Sequence, residues 1–119
     1  MKNFKDLKVW DKAHKLALKV YEITKDFPRE EIYGLISQMR RATVSIPTNI
    51  AEGCGRNSDA ELARFLEIAM GSASELEYLL LLSKELNFLN DKLYTTLTFE
   101  TTEIKQMLAT LIKKVRSDS

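Results

Sequence analysis

The spacing of apolar residues constrains this chain more than any other feature. Apolar side chains recur at a period near 3.6 residues through four stretches. Three breaks separate them: Asp26-Phe27-Pro28, Gly53-Cys54-Gly55-Arg56-Asn57-Ser58 and Asn87-Phe88-Leu89-Asn90. An α-helix returns the same face at that period, so each stretch predicts an amphipathic helix. Gly (4) and Pro (2) are too scarce for the many turns of an all-β fold. The 119 residues make a single domain, 1–119, large enough to hold a core without a metal or a disulfide.

The first helix is expected from about Asp6 to Asp26. Val9, Trp10, Ala13, Leu16, Ala17, Val20, Tyr21 and Phe27 fall on one broad face, with Lys8, Lys12, Lys15 and Lys19 nearly opposite. Pro28 stops this helix, because the residue before a proline is pushed out of the α region. The second runs from about Arg29 to Glu52, with a seam of Ile32, Leu35, Ile36, Met39, Ala42, Thr43, Ile46 and Ile50. Pro47 lies inside it. It removes a backbone donor and crowds the Thr43 carbonyl, so a kink rather than an end is expected. Gly53 is placed to close the helix in a left-handed conformation. The third opens on Ser58-Asp59-Ala60-Glu61, a capping-box pattern, and reaches Glu85 or Leu86. Its seam is Leu62, Leu66, Ala69, Ala73, Leu76 and Leu80, and small residues from Ala69 to Ser74 permit a close helix crossing. The fourth runs from Asn90 or Asp91 to about Arg116, with Leu93, Leu97, Ile104, Leu108, Leu111 and Val115 on one face. Short connections make successive helices antiparallel. The expected fold is all-α, an up-down-up-down antiparallel four-helix bundle with helix two kinked at Pro47.

Helix three carries more apolar surface than one stripe needs, because Tyr78, Leu79, Leu80, Leu81 and Leu82 point in every direction around its axis. Tyr78, Leu81 and Leu82 are therefore candidates for an oligomer interface. The alternative is that the first helix or the Phe88-Leu89 loop covers them.

One cysteine, Cys54, excludes an intrachain disulfide and a multi-Cys zinc site. One histidine, His14, closes the paired Glu-x-x-His option of di-iron bundles. Cys54 is expected to be an ordinary thiol, and His14 a packed or half-exposed imidazole. No P-loop, Gly-x-Gly-x-x-Gly or Ser-His-Asp constellation is present. No catalytic residue, metal or cofactor is expected, and the chain is not expected to be an enzyme. No apolar run approaches the ~18–20 residues of a membrane span. The first residues lack the apolar core of a secretion signal. A reduced cytoplasmic location with no membrane partner is the expectation.

Charge is balanced overall, with 18 basic and 17 acidic residues, but unevenly placed. Residues 1–56 carry 11 basic and 7 acidic side chains, a net of +4; residues 57–119 carry 7 and 10, a net of −3. Such a split can steer a partner or let subunits meet through opposite charge. Lys8, Lys12, Lys15, Lys19, Arg40, Arg41, Lys113, Lys114 and Arg116 are candidate nucleic-acid-binding residues. The competing reading of the lysine stripe is a solvated face, partly neutralised by Asp11, Glu22 and Asp26. No aromatic residue interleaves with these lysines, so a stacking platform for single strands is not indicated. Arg41, Ser45, Asn49 and Glu52 form a polar ridge flanking Pro47. There Ser45 and Asn49 can meet carbonyls freed by the kink, and Arg41 can form ion pairs or reach a phosphate. Glu100 falls near the seam of helix four and is expected to pair with an arginine or mark a subunit contact.

The run Gln38-Met39-Arg40-Arg41-Ala42-Thr43-Val44-Ser45-Ile46-Pro47-Thr48-Asn49-Ile50-Ala51-Glu52-Gly53 resembles the signature of a known family. This is the four-helix-bundle family named for open reading frames in intervening sequences of bacterial 23S rRNA genes, also labelled the S23 ribosomal protein family. Three further pieces agree: Phe4 with Leu7, Val9 and Trp10; Phe27-Pro28 with Glu31 and Tyr33-Gly34-Leu35; and Ala69 to Glu77. The likeness spans about residues 4–90, and the fourth helix matches in pattern alone. It implies a four-helix bundle, a ring-like homo-oligomer with a pentamer favoured, and no enzymatic activity. One branch resembles the accessory protein of diversity-generating retroelements, whose basic members associate with a reverse transcriptase and nucleic acid. This chain departs from that branch in charge, with a pI of about 7.8.

The expected function is thus a non-enzymatic homo-oligomeric adaptor that binds itself and a protein partner such as a reverse transcriptase, with nucleic acid as a further partner. The alternative is direct binding of RNA or DNA through a basic surface repeated around the oligomer.

Overall fold

The computed structural model describes residues 3–118. Its helices are α1 (Lys8–Thr24), α2 (Leu35–Cys54), α3 (Asp59–Glu85) and α4 (Asp91–Asp118), with 3-10 turns at Phe4–Asp6 and Arg29–Glu31. Each helix packs on the next and α1 packs back on α4, giving an up-down-up-down bundle of 45 × 23 × 20 Å. The centre is filled by Leu16, Val20, Met39, Ile46, Ile50, Leu66, Leu76, Leu80, Leu97, Ile104 and Leu108, all essentially inaccessible to water. Each such side chain contributes about 1.5–3 kcal/mol of burial.

Local chemistry sets the helix ends. Ser58 Oγ accepts from the Glu61 N–H at 3.1 Å and caps α3. The Glu61 carboxylate does not return to Ser58. It turns to Arg64 Nε at 3.1 Å, and that guanidinium holds the Glu61 carboxyl below the usual carboxylate range. At the far end of α3, Asn87 adopts the left-handed φ of 66°, its N–H reaching the Lys84 carbonyl at 2.9 Å. The Phe88 N–H reaches the Ser83 carbonyl at 2.8 Å, completing a Schellman arrangement. Asn90 Oδ1 then accepts from the Leu93 N–H at 2.8 Å and starts α4.

Two expectations about α2 are corrected. The helix begins at Leu35, not near Arg29, because Gly34 at φ −112° and ψ −109° breaks the path after the 3-10 turn. Glu31 Oε1 accepts from the Leu35 N–H at 3.2 Å and caps the new start. Ile32, expected on the seam, is left exposed beside Tyr33, which is 95% exposed. Gly53 does not close the helix in a left-handed conformation, since no glycine has positive φ and α2 runs on to Cys54. Its role is close approach: a Cβ there would lie 2.9 Å from Phe65 Cβ and 3.3 Å from the Leu62 carbonyl. Pro47 lies inside the unbroken helix.

Gly53→Ala is therefore expected to lower stability by about 1–3 kcal/mol, as overpacking against backbone does. Gly71 has open space around its would-be Cβ. Gly71→Ala is expected to raise stability by about 0.5–1 kcal/mol. Thermal unfolding of the two variants, followed by circular dichroism, gives opposite shifts in Tm if this assignment holds.

Candidate functional site

The broad apolar face of α1 is wider than the core can cover. Val9, Ala13, Leu16 and Val20 turn inward, while Trp10, His14, Leu18 and Tyr21 come out on the flank facing α2. Across from them α2 presents Val44, Pro47, Thr48 and Ala51. The two rows bound an open groove of about 900 Å3. Leu18 is 59% exposed at its edge, an apolar side chain with nothing of its own chain over it.

Each end of the groove is fixed by aromatic rings. At one end Phe4 meets Trp10 edge-on, with centroids 4.9 Å apart, and Trp10 stacks on His14 at 5.0 Å and an interplanar angle of 6°. Glu52 and Arg56 pair at 3.0 Å on the rim there. At the other end Arg40 clamps α2 to α1. Its Nε donates to Thr24 Oγ1 at 2.9 Å, its Nη2 donates to the Tyr21 carbonyl at 3.3 Å, and the guanidinium lies 4.7 Å over the Tyr21 ring. Thr24 is buried and donates in turn to the Val20 carbonyl at 2.7 Å. The lining pairs apolar floor with aromatic walls and a thin polar rim. That composition suits an apolar side chain or helix of a partner. It offers no nucleophile with an adjacent base, and no cluster able to hold a metal occurs among the described residues.

The remaining candidates are dispersed. Lys12 pairs with Glu103 at 3.1 Å, Lys15 with Asp11 at 2.9 Å, and Lys19 with Glu100. Glu100 thus finds a lysine of α1 rather than an arginine. Lys8 is exposed at the start of the same stripe. Arg40 is spent on the clamp, and Arg41 lies 3.7 Å from Glu75 of α3. Lys113 and Lys114 are exposed near the end of α4, where Arg116 pairs with Glu67. The polar ridge divides in two. Ser45 Oγ meets Ser72 Oγ of α3 at 2.8 Å, and Asn49 Nδ2 donates to the Ser45 carbonyl and Oγ at 2.8 and 2.9 Å. These bonds serve Ser45, not the Thr43 carbonyl that Pro47 leaves free, while Glu52 turns to Arg56. On α3, Tyr78 is 59% and Leu81 37% exposed, whereas Leu82 is half-buried against the core and Leu79 and Leu80 are inside it. Cys54 is buried at the end of α2.

Sequence reasoning missed Phe99. It is 68% exposed on α4 and borders the crevice that Lys12, Lys15 and Lys19 form with Glu100 and Glu103. The signal was its position about half a turn away from the Leu97 and Ile104 seam, where a phenylalanine has no core to enter.

Comparison with known proteins places this geometry. The family model described as 23S rRNA-intervening sequence protein matches residues 5–110, reaching well into α4. A solved structure from Bacteroides thetaiotaomicron, a protein with unknown function from the S23 ribosomal protein family, superposes with a TM-score of 0.82 at 29% identity. The overlap covers 88% of this chain and 95% of that one. A search of curated proteins gave no match.

Arg40→Ala is expected to cost about 1–3 kcal/mol, because buried Thr24 and the Tyr21 carbonyl lose a charged donor. Arg40→Lys is expected to recover less than half of that, since an ammonium cannot span both acceptors and stack on the ring. Urea unfolding of the two variants checks the ranking.

Proposed function

This chain belongs to the 23S rRNA-intervening sequence protein family, and on that premise we propose that it is a non-enzymatic adaptor built as a homo-oligomer, with a pentamer favoured. The observation that carries this reading is the open apolar groove between α1 and α2. Leu18, Tyr21 and Val44 remain substantially exposed there, all lining the one groove. A contiguous apolar surface of this kind is stabilised by covering it with protein, at roughly 25 cal/mol per Å2 removed from water.

The adaptor holds a protein partner, such as a reverse transcriptase, on a surface repeated around the assembly. A protein is preferred over nucleic acid because most of the candidate cations are already engaged. A phosphate backbone would have to displace Asp11, Glu100 and Glu103 from Lys15, Lys19 and Lys12. No helix among the described residues is long and apolar enough to cross a membrane.

Light scattering of the purified protein at micromolar concentration is expected to give a multiple of 13.7 kDa, with five copies favoured. Leu18→Glu combined with Val44→Glu is expected to reduce the mass to one copy while leaving helicity intact, since both side chains are already exposed. A wild-type monomer would overturn the reading.

A further inference from the structure

The groove has a counterpart on the same molecule. Phe99 projects from the middle of the bundle on the side where α4 meets α1, 68% exposed and with no polar atom to justify its exposure. Around it Lys12–Glu103 and Lys19–Glu100 are already paired, so the collar is nearly neutral and can be covered by another protein surface without stranding a charge. Resting on the self-assembly reading above, we propose that Phe99 of one copy seats in the α1–α2 groove of the next, making every contact head-to-tail.

Three features of the fold argue for a second copy as the occupant. The first is the difference between the two surfaces. The groove is an open, mostly apolar lining on the α1–α2 flank and Phe99 is a single exposed ring on the α4–α1 flank, so a contact between them joins two unlike surfaces of the chain. Such a contact is heterologous, and repeating it generates a ring or a filament.

The second is height. Phe99 shares its crevice with Lys15, Leu16 and Lys19 of α1, and the groove on the other flank of α1 is centred on Ala17 and Leu18. Knob and hole therefore lie at the same level along the bundle. Copies related by rotation about an axis parallel to the helices, with no shift along it, bring Phe99 opposite the groove. A contact without axial shift closes into a ring.

The third is angle and area. The α1–α2 and α4–α1 flanks are neighbouring sides of a four-helix bundle, about a quarter turn apart. A ring of n parallel copies needs its two contact faces 180° − 360°/n apart, about 90° for four copies and about 108° for five, so a small ring fits. One flank of a bundle 45 Å long and about 20 Å wide offers roughly 900 Å2, comparable to the ~800 Å2 per partner of a stable interface. The ring of Phe99 would meet Trp10 and Tyr21 of the receiving copy in the edge-on or offset arrangements that aromatic pairs prefer.

Two variants test this. Phe99→Asp alters a side chain outside the core, so its fold is expected to be kept, as thermal unfolding will show. Light scattering should then fall from the assembled mass to 13.7 kDa. The double variant Phe99→Cys with Val44→Cys, treated with a short bismaleimide, should give a covalent ladder of two or more chains. Each single variant and the wild type, whose Cys54 is buried, should give no ladder. An assembled Phe99→Asp protein together with an absent ladder would overturn the knob-in-groove contact while leaving self-assembly standing. A monomeric wild type would overturn both.

Discussion

Along the seam between α2 and α3, small or hydroxylated residues meet at three levels. Gly53 faces Leu62 and Phe65, Ser45 bonds Ser72 across 2.8 Å, and Ser83 Oγ lies 3.3 Å from the Met39 sulfur. A Cβ at the first level is already too much, so the two helices are as close there as their backbones allow. The polar contacts at the other two levels are satisfied within a largely apolar seam, which makes them selective for one register. Ser83 gives its one hydroxyl proton to the Leu79 carbonyl at 2.7 Å, and Asn49 completes Ser45. With α2 held against α3, its other flank is exposed toward α1. The Arg40 clamp joins the two helices at one end, and the Phe4–Trp10–His14 stack lies at the other. The groove between these ends follows from where α2 is anchored.

Pro47 fits this arrangement. In a helix interior a proline costs about 3 kcal/mol or more through its missing donor and its clash with the preceding turn. Here it is flanked by Ile46 and Ile50, both fully buried, so the helix is carried across it by packing. Its own ring lines the groove. That ring is itself buried within the chain, and with no N–H of its own it adds no donor to be left unpaired there. The ridge of Ser45 and Asn49 beside it, which the sequence suggested would serve the freed carbonyl, instead ties α2 to α3.

The four helices and most of the core were legible because period and punctuation agree: Ser58 caps α3 where it was expected to, α4 starts at Asp91 where the break ends, and the seams of α3 and α4 are largely those that the spacing marks. The surplus surface was harder to place. On α3, Leu79 and Leu80 enter the core, while Ile68, Tyr78 and Leu81 stay exposed. A further excess lies on α1, whose apolar face includes the half-buried Trp10 and the exposed Tyr21. A periodicity argument assigns them to the core, and only the position of α2 reveals that they line a groove. Gly53 was misread for a similar reason. A glycine near a helix end suggests a left-handed cap, whereas its use against Phe65 depends on a neighbour 12 residues away. Phe99 escaped notice because the lysines beside it belong to another helix.

Charge distribution bears on what such a surface can bind. The basic first half and acidic second half of the chain meet inside one copy. Lysines of α1 reach carboxylates of α4, Arg41 of α2 reaches Glu75 of α3, and the two halves largely neutralise each other where they pack. Exposed pairs of this kind add only about 0–1 kcal/mol each to stability. Their larger effect is to remove the long-range field that a +4 and −3 division would project if the halves were separate. Opposite charge is then a weak basis for bringing copies together, and a phosphate backbone meets few cations that are not already engaged. What stays exposed on the flanks of the bundle includes much that is apolar and aromatic: Leu18, Tyr21 and Val44 along the groove, Phe99 on the next side, and Ile68, Tyr78 and Leu81 on α3. Association governed by those groups depends on fit and dehydration, and a neutral surround lets that fit be reached without a desolvated charge to oppose it.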